Sequence, residues 1–334
     1  MSEPVVVSSR VRLARNYEDF PFDAAEKPDI AEACVERTRT ALALSGADSD
    51  FTFIQLRDAS ERQRQSLQES HLISADLLKN PETAAVLLDE ADAVSVMINE
   101  EDHLRIQAID TGMELNDAAE KCFRVDDALS RNAVFAFDKQ LGYLTSCPTN
   151  TGTGMRASLV LHLPMLTRFK QMGNVGQIVA KVGLTIRGVY GEGSAALGNL
   201  YQVSNQVTLG RTEQELIATV SAVGTQLTDM EQTLRRKAFA DDRALLEDSV
   251  FRAWAVLRNA RLLAPMEFYK LWSDARLGAA MGLVPFPLEI LDNMLEQAQS
   301  AHLCAWMEKD LDERQLQEAR ATRVREIVRD GMKN

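Results

Sequence analysis

Residues 93–110 read AVSVMINEEDHLRIQAID. Two apolar runs of strand length, Ala93–Asn99 and His103–Asp110, lie on either side of three consecutive carboxylates. Runs rich in Val and Ile that are bounded by polar residues are typical of strands, and a connection this short joins antiparallel neighbours. The stretch therefore predicts a β-hairpin, and we expect an antiparallel sheet as the frame of the fold.

Similar strand patterns recur over the first 210 residues, separated by turn signals and by helical patterns. The further predicted strands are Val5–Arg15, Phe51–Leu56, Ala133–Asp138, Gly142–Cys147, Leu184–Tyr190 and Leu200–Leu209. A second hairpin is predicted at Lys139–Gln140. The predicted helices, which we expect to cover the sheet, are Ile30–Leu44, Ala59–Ser70, Arg156–Arg168 and Gly176–Val182.

The strand signals stop at about Glu213. Long segments rich in Leu, Ala, Arg and Glu follow with helical spacing, broken at Pro265 and at Pro285–Pro287. The predicted fold class is α+β, an antiparallel sheet flanked by helices and followed by an all-α domain. We assign residues 1–220 to the sheet domain and residues 221–334 to the helical domain.

Composition excludes several classes of protein. A net charge of −12 argues against nucleic acid, since phosphate binding needs a surplus of Lys and Arg. No apolar run approaches the roughly 18 residues of a membrane span, and the N-terminal residues lack the pattern of a signal peptide. The four cysteines form no CxxC pair, which fits reduced thiols better than disulfides or zinc. We expect a cytoplasmic protein that binds neither nucleic acid nor membrane.

An arginine pair marks the first strand, where residues 8–12 read SSRVR. Strand alternation places Arg10 and Arg12 on one face and Val11 on the other. Two parallel guanidinium groups suit a polyanion such as a triphosphate. Taken alone, the pattern also fits a solvated strand face.

The three adjacent carboxylates of the first hairpin repel one another, so their clustering needs a reason. A polar hairpin tip is one such reason. The functional alternative is that one carboxylate binds a cationic substrate while Arg105 faces phosphate groups.

Residues 145–158 read TSCPTNTGTGMRAS and join a predicted strand to a predicted helix. Small residues let backbone N–H groups approach an anion, and the expected helix N-terminus would add to that field. No Gly-Lys-Ser/Thr closes the segment, so it is not a Walker A loop. A tight strand–helix connection is the alternative reading.

Residues 187–194 read RGVYGEGS. The glycines indicate a mobile loop that presents Arg187 and Glu192, and their spacing does not match a dinucleotide-binding fingerprint. A flexible surface loop without a role in chemistry is the alternative.

In this order, the segments SSRVR, NEEDHLR, CPTNTGTGMRAS and RGVYGEGS resemble the phosphagen kinase superfamily. The likeness is closer to its bacterial protein-arginine kinase branch (McsB type), which the stretches ALGN at 196–199 and SNQ at 204–206 favour. The matching motifs span residues 8–206.

The resemblance implies an ATP site with an arginine cage around the phosphates. His71 would lie beside the base or ribose, although it also fits an ordinary polar position at the end of a helix. The implied nucleotide-binding positions are Ser8, Ser9, Arg10, Val11, Arg12, His71, Arg105, Arg156, Ala157, Ser158, Leu159, Val160, Arg187, Gly188, Val189, Tyr190 and Gly191.

The resemblance also implies the catalytic residues. Glu101, as the base, and Glu192 would grip the substrate guanidinium, Cys147 would contact it, and Glu100 would hold Mg²⁺ through water. Chemistry agrees with this assignment, because a guanidinium is protonated and its lone pairs are delocalised. Two carboxylates can orient one nitrogen and accept its proton, while arginines and Mg²⁺ neutralise the phosphates.

The family has members that phosphorylate free guanidino compounds and resemble one another in a helical domain ahead of the SxRxR strand. That strand begins here at Ser8, so we expect protein substrates with exposed arginines. A kinase of free arginine and a non-catalytic, nucleotide-responsive adaptor are the alternatives. The resemblance further implies delivery of marked proteins to a Clp-type protease, a small zinc-binding activator, and allows a homodimer.

One departure from the family concerns regulation. Members often carry RDxxRA in the helical domain, where it forms a pocket that senses phosphoarginine. The best match here is Leu316–Ala321, which reads LQEARA. Because Leu316 and Gln317 replace Arg-Asp, the cationic fork for phosphate is reduced. We predict weak or absent activation by phosphoarginine.

Overall fold

The structure is a computed structural model that describes residues 4–47, 51–89, 94–189 and 196–333. An eight-stranded antiparallel sheet in the order β2-β3-β4-β5-β1-β8-β10-β9 forms its frame, and β6 and β7 make a separate hairpin. The strands are β1 Val6–Arg15, β2 Phe51–Gln55, β3 Ala85–Asp89, β4 Val94–Ile98, β5 Leu104–Thr111, β6 Phe137–Asp138, β7 Gly142–Tyr143, β8 Met155–His162, β9 Leu184–Gly188 and β10 Leu200–Asn205.

Helices pack against this sheet and form the C-terminal part. They are α1 Pro28–Ser45, α2 Glu61–Glu69, α3 Leu115–Ser130, α4 Pro164–Arg168, α5 Met172–Lys181, α6 Glu213–Asp241, α7 Arg243–Asn259, α8 Pro265–Ala280, α9 Leu288–Gln297, α10 Ser300–Trp306 and α11 Glu313–Gly331. The predicted fold class, an antiparallel sheet flanked by helices and followed by a helical region, is confirmed.

The main apolar core shows which face of β1 the helices α1, α3 and α6 cover. Along β1, Val11 and Leu13 are fully buried and point into an apolar cluster with residues of α1, α3 and α6. Period-two alternation then turns Arg10 and Arg12 to the other face. Burial of one face by helices therefore fixes the register that presents the arginines.

The C-terminal helices have a second apolar core around Trp272, whose indole N–H donates to Leu291 O at 2.7 Å. Helix α6 packs against the sheet through Val220 and Leu227. Its later residue Phe239 contacts a smaller apolar cluster with Leu246 and Leu277 of the C-terminal helices. Between these contacts, the buried Glu231 of α6 accepts hydrogen bonds from the backbone N–H groups of Met165 and Leu166. The helix passes through residues 220 and 221 without a break.

The predicted helix at Arg156–Arg168 is wrong. Residues Met155–His162 form the central strand β8, and the helix that follows, Pro164–Arg168, has five residues. The apolar residues of this stretch suit either period on their own. Hydrogen bonding to β1 and β10 on both sides decides in favour of a buried strand.

Other boundaries also differ. The predicted strand Leu200–Leu209 ends at Asn205, and the predicted runs Ala133–Asp138 and Gly142–Cys147 contain only the two-residue strands β6 and β7. Strand β3 and helix α3 were not predicted. Both predicted hairpins are confirmed, at β4–β5 and β6–β7. In the part of the chain that the structure describes, no helix is long and apolar enough to cross a membrane.

Candidate functional site

Strand register aligns a row of arginines on the sheet face away from the main core. Arg12 lies opposite Arg156 on one neighbour and Gln107 on the other, and Arg105 lies opposite Ala14. Since paired residues share a face and alternate residues repeat it, Arg10, Arg12, Arg105 and Arg156 project together. Arg187 joins the same face through Gln202 and Val160.

This row is a concentration of positive charge. Burial lowers the pKa of Arg12 well below its ordinary value, and the charges of Arg105, Arg10 and Arg156 lower it further. The carboxylate of Glu100 opposes this with a smaller effect. The pKa of Arg156 is likewise lowered by burial and then by Arg187 and Arg105. Such a cluster is stabilised by a polyanion.

One buried polar atom of this row also indicates that an anion binds here. The Nε of Arg105 is buried and has no hydrogen-bond partner among the described residues, although its Nη1 pairs with Glu100. A buried guanidinium N–H without an acceptor is costly. A phosphate oxygen would satisfy it, so the residues present fit a nucleotide phosphate chain.

A cleft opens at one end of the arginine row. Its walls carry both signs of charge. They comprise Arg12, Leu13, Ala14, Asp76, Glu100, Glu101, Asp102, Arg105, Cys147, Thr149, Asn150, Gly154 and Arg156. The structure therefore brings Glu100, Glu101 and Cys147 together beside Arg12, Arg105 and Arg156.

Asp102 holds the two sides of the acidic end together. Its Oδ1 accepts from the Asn16 side chain and from the Ser146 backbone N–H, both at 2.7 Å. Asn16 in turn accepts from the backbone N–H of His103 at 2.8 Å. The hairpin tip with Glu101 is thus tied to the segment that carries Cys147. Sequence reasoning missed this role, for which the adjacent carboxylates were the signal.

The carboxylate of Glu101 has an altered proton affinity. Its pKa is raised, first by partial burial and then by the like charges of Asp102, Glu100 and Asp76, while Arg105 opposes the shift. A base with a raised pKa accepts a proton more readily, provided the solution pH keeps it ionised.

The segment from Ser146 to Gly154 follows a tight path. Gly154 has φ +66°, and a β-carbon there would lie 2.6 Å from Ala14 O and from Arg15 Nη1. Arg15 is buried, pairs with Asp126 at 2.8 Å and donates to Thr153 O at 3.0 Å. The sequence predicted a helix N-terminus after this segment, and that prediction is wrong, because Met155–His162 is a strand. The positive field at this part of the cleft comes from the arginines instead.

The opposite end of the row is lined by Arg10, His71, Arg105 and Gln107 together with Gln299 from the C-terminal part. His71 is placed by a left-handed backbone conformation, φ 60°, and its carbonyl accepts from the Gln107 amide at 2.7 Å. Burial and the charge of Arg10 lower the His71 pKa to about 4. The imidazole is therefore neutral near pH 7 and can lie against an aromatic base.

The other sequence-predicted nucleotide positions that the structure describes lie on both faces of the sheet, next to the arginine row. Val11, Ala157 and Leu159 are fully buried in the main core, and Ser9 Oγ donates to Gly112 O at 2.7 Å. Ser8 and Val160 pair on β1 and β8, and Ser158 Oγ donates to Arg10 O at 3.4 Å. Gly188 and Val189 are partly buried at the end of β9. These residues flank the arginines in sequence but are not among the cleft residues given above.

The positions Tyr190, Gly191 and Glu192 lie outside the described residues. Among the residues that are described, no group of three or more His, Cys, Asp or Glu side chains forms a metal site. Glu100 accepts from Ser74 and pairs with Arg105. Since Mg²⁺ usually retains several waters and takes its other ligands from phosphates, these residues fit a metal held through water rather than by a protein cage.

Family comparisons agree with this geometry. Residues 33–234 match the ATP:guanido phosphotransferase C-terminal catalytic domain, and residues 243–334 match the protein-arginine kinase McsB C-terminal domain. The protein-arginine kinase of Symbiobacterium thermophilum is 42% identical over 331 residues, which is 96% of this chain and 93% of that protein. That of Moorella thermoacetica is 42% identical over 328 residues, 97% of this chain and 94% of that protein.

Two solved structures share the fold. Lombricine kinase is 25% identical with a TM-score of 0.61, over 71% of this chain and 69% of its own. The duplicated taurocyamine kinase from Schistosoma mansoni, with bound transition-state analogue components, is 27% identical with a TM-score of 0.64. That match covers 74% of this chain and 37% of the duplicated protein.

Proposed function

Because the chain belongs to the ATP:guanido phosphotransferase family and to its protein-arginine kinase branch, we propose that the cleft transfers the γ-phosphate of ATP to arginine side chains of proteins. One observation carries the proposal. A row of arginines on one sheet face ends at a cleft that contains Glu100, Glu101, Asp102 and Cys147. A polyanion and a cation can therefore meet in one continuous site.

In the proposed reaction, the arginine row holds the triphosphate and the carboxylates hold the substrate guanidinium. One guanidinium nitrogen attacks the γ-phosphorus in line, so an N–P bond forms while the bond to the β,γ-bridging oxygen breaks and ADP leaves. The nitrogen proton passes to Glu101. Electrostatic stabilisation by Arg12, Arg105 and Arg156 and positioning of both substrates supply the rate.

Supporting groups complete the proposal. When bound, Mg²⁺ would neutralise phosphate charge, with Glu100 holding it through water. Cys147 would contact the guanidinium, and Glu192 would be the second carboxylate that grips it. His71 would lie beside the nucleotide base. The division into a catalytic unit at residues 1–220 and a helical unit at 221–334 is part of the proposal.

We infer a cellular role of the same kind as that of the family. The phosphorylated proteins would be handed to a Clp-type protease, and a small zinc-binding activator and a second copy of the chain are the further expected partners. The protein-arginine kinase names of the relatives support the protein substrate but not these partners.

Purified protein with Mg·ATP and casein tests the proposal, with free L-arginine in a parallel reaction. We expect acid-labile phosphoarginine on casein by phosphorus NMR and mass spectrometry, and little on the free amino acid. Equal transfer to free arginine would contradict the preference for protein substrates. No transfer to either acceptor, with or without an activator from the same source, would contradict the enzymatic proposal.

A further inference from the structure

Exposed apolar side chains lie on two segments of the chain that contact residues 149–152, just after Cys147. Phe137 and Leu141, in the β6–β7 hairpin, are 57% and 46% exposed. Val207 and Leu209, which follow β10, are 53% and 48% exposed. Single exposed apolar residues are ordinary on a protein surface, but several gathered at one place mark an interaction site. We call these four residues the apolar rim.

Backbone contacts join the two halves of the apolar rim. Gly142 lies so close to Gly152 that a β-carbon on it would be 2.4 Å from Gly152 O. A β-carbon on Gly152 would lie 2.8 Å from the Cα atom of Leu209. The hairpin, the segment around Gly152 and the chain after β10 therefore stack directly on one another.

The same contacts connect the rim to the cleft. The Thr208 hydroxyl donates to Thr149 O at 3.0 Å and to Thr151 O at 2.7 Å. The Thr149 hydroxyl in turn lies 3.1 Å from Cys147 Sγ, and both Thr149 and Cys147 line the cleft. Val207 and Leu209, on either side of Thr208, are thus two hydrogen bonds away from Cys147.

The charge of the cleft and the length of an arginine side chain indicate what lies at the cleft mouth. The acidic end of the cleft is complementary to a guanidinium, which an arginine presents at the tip of a long side chain. The backbone of a bound polypeptide then stays at the mouth. Its neighbouring residues follow at about 3.3–3.6 Å each, which places the side chains one to three positions from the arginine within about 11 Å of the mouth.

We propose that the apolar rim binds apolar side chains that flank the target arginine in a protein substrate. The inference rests on the proposed function and adds a substrate class to it. The preferred sites are arginines between residues such as Leu, Val or Phe, which become accessible when a protein unfolds. Folded proteins bury such residues, so their arginines with polar neighbours are the poorer substrates.

Two peptides of equal length and charge test this inference, one with leucines at the positions flanking a single arginine and one with serines. The ratio of their kcat/KM values is compared in the wild type, Leu141→Ser/Leu209→Ser and Leu245→Ser. We expect the wild type to favour the leucine peptide by about tenfold and the double variant to lose most of this ratio. Leu245 is 67% exposed on α7, so its variant serves as the matched control and keeps the ratio.

Because the ratio is formed within each protein sample, a loss of correctly folded enzyme cancels. Two outcomes would contradict the role of the apolar rim and leave the proposed function intact. In one, the wild type phosphorylates both peptides with a ratio near one. In the other, the double variant keeps the ratio of the wild type. Failure of the wild type to phosphorylate either peptide, or casein, would overturn the proposed function and the rim together.

Discussion

Glu101 illustrates how the surroundings of one residue suit it to proton transfer. It lies at a hairpin tip with Glu100 and Asp102 on either side, and the like charges that surround it raise its pKa along with partial burial. The same carboxylates attract a guanidinium. A substrate cation would lower the raised pKa again, so that the group ionises as substrate binds and accepts the proton as the reaction proceeds.

Glu101→Gln tests this assignment. We expect kcat to fall by about 100-fold or more, because the amide keeps the shape but cannot accept the proton. In the wild type, kcat/KM should fall on acidification at a higher pH than for an unperturbed glutamate, since the raised pKa belongs to the enzyme without substrate. Asp76→Asn removes one like charge and should move this acid limb to lower pH. An acid limb unchanged in Glu101→Gln would contradict the assignment.

Cys147 has a smaller predicted part. Its Sγ lies 3.1 Å from the Thr149 hydroxyl at the edge of the cleft, where it can contact the guanidinium without forming a bond to phosphorus. We expect Cys147→Ala to lower kcat by less than Glu101→Gln does. Intact-mass spectrometry during turnover is the check, and a phosphate trapped on Cys147 would show that the transfer is not direct.

At the scale of elements, the segment between β7 and β8 is held by packing that leaves no room for a side chain at Gly154. Gly154→Ala should lower the free energy of unfolding by about 1–3 kcal/mol and reduce kcat, because the segment carrying Cys147 must shift. Gly46, with φ +79° at the end of α1 and open space around it, is the matched control. Gly46→Ala has the same backbone strain without the collision.

Denaturant unfolding and steady-state kinetics of the two alanine variants separate strain from collision. We expect Gly46→Ala to be destabilised by about 1 kcal/mol with unchanged kcat. Equal losses of stability and activity in the two variants would mean that the collision at Gly154 is relieved without effect on the site.

Elements with strong local signals were predictable from sequence, and those decided by their neighbours were not. The β4–β5 hairpin has two apolar runs and a five-residue polar connection, so the sequence alone predicts it. Strand β8 was predicted as a helix, because its apolar residues fit both periods and its pairing partners, β1 and β10, are distant in sequence. The same error hid the register that aligns Arg12 with Arg156.

The site shows the same limit. Motifs predicted Glu101, Cys147, Arg12, Arg105 and Arg156, which the structure places in one cleft. Asp102 was missed as a positioning residue, because its partners Asn16 and Ser146 lie 86 and 44 residues away. Ala157 was predicted as a nucleotide position because it belongs to the same motif as Arg156. Strand alternation buries its side chain in the core.

At the scale of the whole molecule, a charged cluster joins the sheet part to the C-terminal part. His302 on α10 lies 3.0 Å from Glu69 on α2 and 3.1 Å from Glu296 on α9. Glu69 also accepts from the backbone N–H groups of Ala301 and His302. Ser66 and Ser70 complete the surroundings of the imidazole, and the neighbouring cavity contains Glu69 and Arg10.

This cluster should make stability depend on pH. The hydrogen bonds to Glu296 and Glu69 raise the His302 pKa to about 9, above the value of about 6.5 expected in the unfolded chain. The stabilisation is therefore complete below about pH 6.5 and is lost as pH rises through about 9. The melting temperature measured from pH 6 to 10 should fall across this window in the wild type and in Cys304→Ser, but less in His302→Gln. Equal slopes in all three proteins would contradict this role.

The C-terminal core also bears on regulation. Arg320 is buried, and its Nε and Nη1 donate to Ala298 O at 2.9 Å and Leu263 O at 3.0 Å. Gln317, where family members often have Asp, accepts from the Leu263 backbone N–H through its own carbonyl at 3.1 Å. Arg320 is thus engaged in joining the segments before α8 and after α9 to α11. Weak or absent activation by phosphoarginine, expected from Leu316 and Gln317, stays a prediction.

Two variants distinguish a structural Arg320 from a phosphate-sensing one. Arg320→Ala leaves two buried carbonyls without their donor and should lower the free energy of unfolding by about 3 kcal/mol. Arg314→Ala, at an exposed position on the same helix, should have little effect. Addition of free phosphoarginine should leave casein phosphorylation by the wild type and Arg314→Ala nearly unchanged. Strong stimulation of the wild type that Arg320→Ala abolishes would instead assign Arg320 to a phosphoarginine site, because carbonyl contacts alone give it no reason to respond to the ligand.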